Sequence, residues 1–313
     1  MNQPIVVLGG TGFVGRRLLA ALSARGHRVR VPSRNPVHHR ELNLLPGVEV
    51  CAANPHAAAD LDRVFAGAGA VVNLVGILNE RGFRGKGFHK AHVELAAGII
   101  SACHRAGIRR LVQMSALRAG EGESHYLRTR GEAETLVRAS GLDWTITRPS
   151  VIFGPGDGLY NRFAGLLRFL PVLPLARANA RFAPVFVGDV AEAIARCLER
   201  PEMVGETVEL FGPEVMSLRR IVQDTARWTG RRRWIIGLPD WLGWLQAQVG
   251  DLLPGKPISS DNFRSLKLHS VGTRDGLARL GIMPTPVAAI VPDMLAGGRR
   301  QSRLDRWRAH VAR

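Results

Sequence analysis

The chain has 313 residues, 46% of them hydrophobic and 22% charged, a composition typical of globular proteins that excludes disordered and fibrous classes. This length accommodates one large α/β domain or two smaller ones. The net charge is +17, and no run of 18 uncharged apolar residues is present, so a membrane-spanning helix is excluded.

The first residues and the cysteines both predict a cytoplasmic protein. Met1 is followed almost at once by the apolar run Ile5–Leu8, without the basic and cleavable segments of a signal peptide. Cys51, Cys103 and Cys197 are far apart and odd in number, so they form neither a disulfide framework nor a metal knuckle. We expect reduced cysteines and no metal site.

The basic charge has two interpretations. Of the 43 basic residues only four are lysines, so an arginine-rich genomic composition accounts for the excess without any function. An anionic partner, such as a phosphate-bearing cofactor, an acidic lipid or an acidic protein, is the alternative. No nucleic acid is expected, because two tyrosines and 6% aromatic residues leave no stacking platform.

Short apolar runs alternate with helical stretches through the first half of the chain. Such alternation predicts an α/β fold with a doubly wound parallel sheet of the Rossmann type. The predicted strands cover residues 5–8, 28–31, 48–51, 70–75, 110–114 and 144–147. The predicted helices cover residues 13–25, 58–66, 88–106 and 128–140.

After residue 149 prolines and glycines become frequent, and the pattern predicts a smaller C-terminal region over the strand ends. Helices are expected over 190–198 and 218–229, and a strand over 207–210. Asp189 is expected to cap the helix that follows it. We therefore expect a Rossmann domain over 1–155, an interleaved substrate or partner region over 156–298, and a basic tail over 299–313.

A glycine-rich turn joins the first predicted strand to the first helix. Gly9 permits a tight turn, Gly12 lets the backbone approach a pyrophosphate, and Gly15 lets the helix pack closely on the strand. The helix N-terminus offers N–H groups and a positive dipole end to phosphates. The turn predicts a dinucleotide site formed by Gly9, Gly10, Thr11, Gly12, Phe13, Val14 and Gly15.

The end of the second predicted strand bears on the choice between NADP(H) and NAD(H). NAD-selective sites usually place an acidic residue there, whereas this chain has Ser33 and Arg34. A guanidinium at position 34 pairs well with a 2′-phosphate, and Ser33 adds a hydroxyl. We predict NADP(H), with NAD(H) and a merely solvated Arg34 as the alternative.

Further motifs indicate a family. The glycine turn, the segment Asn73 to Gly76, the segment Met114 to Leu117 and Tyr126 together resemble the extended short-chain dehydrogenase/reductase superfamily. The segments 148–155, 184–191, 212–214 and 280–286 narrow the likeness to an atypical branch. That branch resembles the NADPH-binding accessory subunit family of respiratory complex I (NADH:ubiquinone oxidoreductase) and its bacterial NAD-dependent epimerase/dehydratase-like relatives.

The resemblance implies a site and raises a doubt about turnover. Catalytic members use a Tyr-x-x-x-Lys pair, in which tyrosine is the general acid/base and lysine lowers its pKa. Here Tyr126 matches, Arg130 takes the lysine position, Ser115 approximates the substrate-orienting serine, and His92 replaces an asparagine. The implied catalytic set is Tyr126, Arg130 and Ser115. Further cofactor contacts are implied for Leu74, Val75, Gly76, Tyr126, Arg130 and Pro149.

Two functions remain open on these residues. The first is an NADP(H)-binding protein linked to complex I or quinone metabolism, with structural or redox-sensing use of the cofactor. The second is a catalytically active reductase or nucleotide-sugar epimerase/dehydratase that uses Tyr126. Arg130 disfavours the second because a planar guanidinium does not replace a compact ammonium.

The tryptophan-rich segment from Trp234 to Leu253 also has two interpretations. Apolar residues recur there near helical period, which is typical of a helix that covers a core. The alternative is an interfacial helix, with Arg231, Arg232, Arg233 and the basic tail meeting anionic headgroups. On that interpretation the protein is peripheral to the inner face of the inner membrane, or bound to a respiratory complex there.

Overall fold

A seven-stranded parallel sheet forms the centre of the computed structural model, which describes residues 3–296 except 81, 83, 254, 255 and 257. The strand order is β3-β2-β1-β4-β5-β6-β11. Order reverses between β1 and β4, the switch point at which open α/β sheets bind ligands. The strands are β1 (Ile5–Leu8), β2 (Val29–Ser33), β3 (Val48–Ala52), β4 (Ala70–Asn73), β5 (Arg110–Met114), β6 (Asp143–Pro149) and β11 (Glu206–Leu210).

Helices cover both faces of this sheet, so the predicted doubly wound fold is confirmed. On one face α1 (Phe13–Ala24) packs against α7 (Val187–Glu199), and their apolar residues join the inward side chains of β1 and β4 in one core. On the other face the second core is built from α2 (Ala58–Phe65), α4 (Leu95–Ala106) and α5 (His125–Arg138).

The chain beyond residue 150 contributes both to the central sheet and to a separate layer. Strand β11 and helix α7 belong to the Rossmann core, whereas three two-stranded sheets pair β7 with β10, β9 with β12 and β8 with β13. The strands are β7 (Ile152–Phe153), β8 (Val172–Leu175), β9 (Arg181–Phe182), β10 (Val185–Phe186), β12 (Met216–Ser217) and β13 (Trp234–Gly237). The helices are α6 (Tyr160–Phe169), α8 (Leu218–Trp228), α9 (Asp240–Leu252), α10 (Ser260–Ser265), α11 (Gly276–Arg279) and α12 (287–296).

Two helical segments near the carboxyl ends of the strands have boundaries other than those predicted. The helix expected over 88–106 is α3 (Lys86–His89), a π-helical turn (Lys90–Glu94) and then α4. Helix α5 begins three residues earlier than predicted, because the Ser124 hydroxyl accepts the Leu127 N–H and caps it. A 3₁₀ segment (Pro36–Leu44), which the sequence did not predict, follows β2, and another (Pro201–Met203) precedes β11.

The expected capping role of Asp189 is wrong. Helix α7 begins at Val187, so Asp189 lies within its first turn and does not cap it. Its carboxylate instead accepts the Thr285 N–H at 2.7 Å and the Thr285 hydroxyl at 3.0 Å. Asp189 therefore ties the segment before α12 to the Rossmann core.

No helix in the part of the chain that the structure describes is long and apolar enough to cross a membrane. The basic tail predicted over 299–313 lies outside the described residues.

Candidate functional site

The glycine-rich turn lies at the carboxyl end of β1, at the switch point of the sheet. Gly9 has a φ of +77°, a left-handed conformation that favours glycine. The Gly12 N–H donates to the Gly9 carbonyl at 3.0 Å, which closes the turn directly before α1. Gly12 is the exposed N-cap residue of α1 and has no side chain. No N-cap side chain therefore accepts the N–H groups of the first helical turn.

Gly15 and Gly9 are required by close packing of the backbone. A β-carbon on Gly15 would collide with the Gly9 carbonyl and with Gly10, because the first turn of α1 lies on the loop itself. A β-carbon on Gly9 would lie 3.1 Å from the Leu74 backbone after β4. Together these contacts leave a bare-backbone cradle, which fits the pyrophosphate of a dinucleotide.

The end of β2 places positive charge beside this cradle. Arg34 is exposed, and Ser33 is buried with its hydroxyl accepting the Asn35 N–H at 3.2 Å. Burial and the positive charges of Lys90 and Arg34 lower the pKa of His56. The end of β2 itself carries no carboxylate to repel a 2′-phosphate.

A nearby acidic group, Glu41, is neutralised by an arginine. The Arg16 guanidinium donates to the Glu41 carboxylate at 2.7 Å, and this bond lowers the pKa of Glu41. Glu41 lies in the 3₁₀ segment after β2, not at the strand end where an acid would bind a ribose.

Arg130 is buried where β4 and β5 end, with only 4% of its surface exposed. Its Nη1 donates to the Met114 carbonyl at 2.9 Å and to the Val75 carbonyl at 3.4 Å. Its Nη2 fills the space beside Gly76 in which a β-carbon would lie. The sequence resemblance placed Leu74, Val75 and Gly76 along the cofactor, and the structure brings all three to this edge next to Arg130.

Three buried polar atoms at this edge have no hydrogen-bond partner among the described residues. They are the Ser115 hydroxyl, just after β5, the Thr147 hydroxyl near the end of β6, and Nε of Arg130. Buried polar groups are normally satisfied, so unsatisfied ones in a cleft indicate a missing partner. Ribose hydroxyls of a dinucleotide are both donors and acceptors and suit such groups.

Tyr126 lies in the first turn of α5, above Arg130. The Arg130 guanidinium carbon is 5.6 Å from the centre of the Tyr126 ring. The ring also meets Phe88 and His92 edge-on, with centroids 6.1 and 5.7 Å away. Tyr126 is only partly buried, so part of its side chain remains accessible beside Arg130.

His92 is held neutral and in a single tautomer. The Thr129 hydroxyl donates to the His125 carbonyl at 2.8 Å, so His92 Nδ1–H must donate to the Thr129 oxygen, also at 2.8 Å. Nε2 then accepts the Ile77 N–H at 3.4 Å. Burial and the charge of Arg130 lower the pKa of His92 to about 2. His92 is thus a fixed acceptor that positions the loop after β4.

One site residue escaped the sequence analysis because it lies far away in the chain. The Asp261 carboxylate accepts the His125 N–H at 2.6 Å and the Tyr126 N–H at 3.1 Å, across 136 and 135 residues. It places a negative charge at the N-terminus of α5, where a helix dipole favours one. No local motif identifies such a partner.

Pro149 ends β6 at the same edge, where its carbonyl accepts the Leu117 N–H at 3.0 Å.

Among the described residues no group of three or more His, Cys, Asp or Glu side chains could hold a metal ion. The edge therefore combines a backbone cradle, a cationic end at β2 and a tyrosine stacked over a guanidinium. Such an arrangement can hold a phosphorylated dinucleotide and place a phenol beside it.

Comparison with known proteins points to the same ligand. Residues 9–201 match a protein family described as NAD(P)H-binding. That range begins at the glycine turn and ends shortly after α7.

Curated relatives cover most of the chain. It is 30% identical to the mitochondrial NADH dehydrogenase [ubiquinone] 1 alpha subcomplex subunit 9 of Rattus norvegicus, over 96% of the chain and 81% of the relative. It is also 30% identical to ceramide reductase of Caulobacter vibrioides, over 75% of the chain and 74% of the relative.

Solved structures share the fold. A dTDP-glucose 4,6-dehydratase of Streptomyces venezuelae, solved with NAD and TYD bound, superposes with a TM-score of 0.76. The sequence identity is 19%, and the superposition covers 95% of this chain and 97% of the dehydratase. At this identity the likeness concerns the Rossmann fold alone.

Proposed function

Since the chain belongs to the NAD(P)H-binding family, within which it is related to alpha subcomplex subunit 9 of NADH dehydrogenase, we propose that it holds NADP(H) as a structural or redox-sensing group. The observation that carries the proposal is the state of Arg130. Its guanidinium is buried and donates to two strand-end carbonyls, whereas an acid/base lysine needs a free ammonium beside the tyrosine.

The preference for NADP(H) over NAD(H) is supported by the end of β2. Arg34 is exposed there beside the glycine cradle, and the nearest acid of the following segment, Glu41, is paired with Arg16. A phosphate on the adenosine ribose would meet positive charge, and a 2′-hydroxyl would find no carboxylate.

The proposed setting is respiratory. The rat relative is by its name a subunit of NADH dehydrogenase [ubiquinone], and the alignment covers nearly the whole chain. We therefore propose that this chain serves respiratory complex I or quinone metabolism, in the cytoplasm and peripheral to the inner face of the inner membrane. A respiratory complex or an anionic membrane surface is the proposed partner.

A second candidate function is an active NAD(P)-dependent reductase or nucleotide-sugar epimerase/dehydratase. It is favoured by the partly exposed Tyr126, whose ring lies over the Arg130 charge, and by the likeness to a ceramide reductase. When bound, a nicotinamide supplies or accepts hydride. Tyr126 would give or take the proton at its hydroxyl oxygen, and Arg130 would stabilise the phenolate.

The deciding experiment identifies the nicotinamide that the purified protein carries and its rate of exchange. Reduced NADPH that exchanges over hours, with no change on adding carbonyl substrates, supports the structural or sensing function. Fast exchange with substrate-dependent oxidation supports the reductase, and a cofactor held oxidised supports the epimerase. Absence of any nicotinamide binding contradicts both functions.

A further inference from the structure

Large apolar side chains are exposed on the small sheet of β8 and β13. The two strands pair in parallel, with Trp234 opposite Val172 and Ile236 opposite Pro174. Alternate residues of a strand share a face, so Trp234, Ile236 and Val172 lie on one side, and all three are exposed. Trp234 retains 76% of its accessible surface. The opposite side, with Leu173, is buried in the protein.

Helix α9 packs on the protein with small residues and Trp244, and it exposes a stripe of other large apolar residues. It contacts the protein through Gly243, Ala247 and Gly250, which are buried. A β-carbon on Gly243 would come within 2.9 Å of Phe263 and 3.1 Å of Ala176. The opposite stripe, spaced four, four and three residues apart, is exposed and consists of Trp241, Leu245, Val249 and Leu252.

This orientation bears on both interpretations of the segment. A helix that covers a core turns its large apolar residues toward the core. Here Trp241 is 68% exposed and Leu252 is 79% exposed. Ala247 and Trp244 pack over a small core with Phe263, which fits the core-covering interpretation on that side of the helix, whereas the exposed stripe favours an interfacial helix.

Side-chain hydrogen bonds hold the elements that carry the two apolar surfaces beside each other. The Gln246 amide donates to the Pro174 carbonyl at 2.9 Å and accepts the Ala176 N–H at 3.2 Å, which fixes α9 beside the end of β8. Arg233 Nε donates to the Leu167 carbonyl at 2.9 Å and joins β13 to α6, whose last residue Phe169 is also exposed. We call this surface the apolar face; it comprises Phe169, Val172, Trp234, Ile236, Trp241, Leu245, Val249 and Leu252.

Positive charge accompanies the apolar face. The segments 159–181 and 228–253 contain seven arginines and two aspartates. One aspartate, Asp240, pairs with Arg177 at 3.1 Å, and the other, Asp251, is largely buried. Arg168 lies 5.5 Å from the Phe169 ring, and Arg232 is exposed immediately before β13.

We propose that the apolar face docks on an anionic lipid bilayer, with the tryptophans and leucines entering the headgroup boundary and the arginines meeting lipid phosphates. Isolated exposed apolar residues are ordinary on soluble proteins, but eight on neighbouring elements, with tryptophans and an arginine excess, are typical of interfacial binding. A second copy of the chain would bring its arginines against these, which repels. The proposal rests on the peripheral location proposed above but is independent of nicotinamide binding.

The test is co-sedimentation of the full chain with two kinds of vesicle. One is phosphatidylcholine alone, and the other contains about one-third phosphatidylglycerol, so that it carries a negative surface potential. We expect partition onto the anionic vesicles that weakens as salt is added. The double variant Trp241→Gln, Leu245→Gln should partition about ten-fold more weakly, because two apolar side chains no longer enter the boundary.

A matched control separates the face from exposed hydrophobicity in general. Met283 is 89% exposed and lies outside the apolar face, so Met283→Gln should partition as the unchanged chain does. Both variants replace exposed side chains, and circular dichroism together with NADPH titration checks that each remains folded.

Each contrary outcome has a distinct meaning. If the double variant and the unchanged chain partition equally, the apolar face is not the lipid-docking surface. The proposed peripheral location is not affected by that result. If no variant partitions onto vesicles while NADPH binding is intact, both the peripheral membrane location and the lipid-docking role of the apolar face are overturned. The proposed binding of NADP(H) is not. A concentration-dependent dimer that the double variant abolishes, without lipid binding, assigns the face to a second copy and overturns the proposal.

Discussion

Nη2 of Arg130 lies against the α-carbon of Gly76, in the volume that a side chain at position 76 would need. The φ of Gly76 is not in the left-handed region, so the requirement for glycine is steric and comes from Arg130. We expect Gly76→Ala to lower the free energy of unfolding by about 1–3 kcal/mol through overpacking. Urea unfolding followed by circular dichroism measures the change.

The arginine itself supplies the control for this prediction. In an Arg130→Ala background the same Gly76→Ala change should cost little, because the obstructing guanidinium is gone. Gly98→Ala in α4 should instead stabilise the chain by up to about 1 kcal/mol, since alanine favours a helix interior and its β-carbon would meet only Leu61, at 3.6 Å. An equal cost for Gly76→Ala in both backgrounds contradicts the packing argument.

Tyr126→Phe distinguishes binding from turnover. The change removes one hydroxyl from a partly exposed ring and leaves the Arg130 and His92 contacts of that ring in place. We expect any nicotinamide-dependent turnover to disappear, while the dissociation constant of NADPH changes by less than about three-fold. Stopped-flow turnover and fluorescence titration measure the two quantities, and activity that survives in the variant removes Tyr126 from the role of acid/base.

His92 makes stability depend on pH in a direction set by its lowered pKa. The unfolded chain binds a proton at His92 below its ordinary pKa of 6.5, whereas the folded chain does not until about 2. The stabilisation that neutral His92 contributes is thus complete above pH 6.5, and it is lost as the pH falls below that value. Between those values the loss approaches about 1.4 kcal/mol per pH unit.

The variant His92→Asn isolates this contribution. An amide neither titrates nor accepts a proton, so the variant should lose less stability than the unchanged chain between pH 6.5 and about pH 4. Urea unfolding at several pH values gives the difference in slope. Identical slopes would mean that His92 is protonated in the folded chain.

Arg34→Ala tests the cofactor preference. Removal of a charge-assisted contact at a solvent-exposed site should weaken NADPH binding about ten-fold and leave NADH binding nearly unchanged. Arg28→Ala is the control, because Arg28 is also exposed, lies directly before β2 at the opposite end of the strand from Ser33, and removes the same net charge. A parallel loss of affinity for both nucleotides contradicts the assignment of Arg34 to the 2′-phosphate.

The Rossmann half was predictable because its signals are local. The strand β1, the glycine turn and α1 follow from β-branched residues, spaced glycines and a 3.6-residue period, and their bounds agree with the structure within one residue. The resemblance likewise placed Tyr126 and Arg130 on one helix. These features depend on residues that are neighbours in sequence.

The remainder depends on long-range contacts that no pattern encodes. The hydrogen bond from the first turn of α5 to Asp261 spans 136 residues, and the Thr129 hydrogen bond that fixes His92 spans 37 residues. The periodicity of α9 revealed an apolar stripe but not which side would face the protein. That orientation follows from Gly243 and Gly250, which permit close approach on the other side.

The carboxylate of Asp261 connects the C-terminal region to the helix that carries Tyr126. Asp261 lies in α10, which follows α9 after a short segment, and its two oxygens hold the backbone N–H groups of His125 and Tyr126. The first turn of the helix that carries the phenol is therefore held from two sides, by Ser124 in its own chain segment and by a carboxylate of the C-terminal region. Substitution of Asp261 would consequently act on the same turn as substitution of the Ser124 cap.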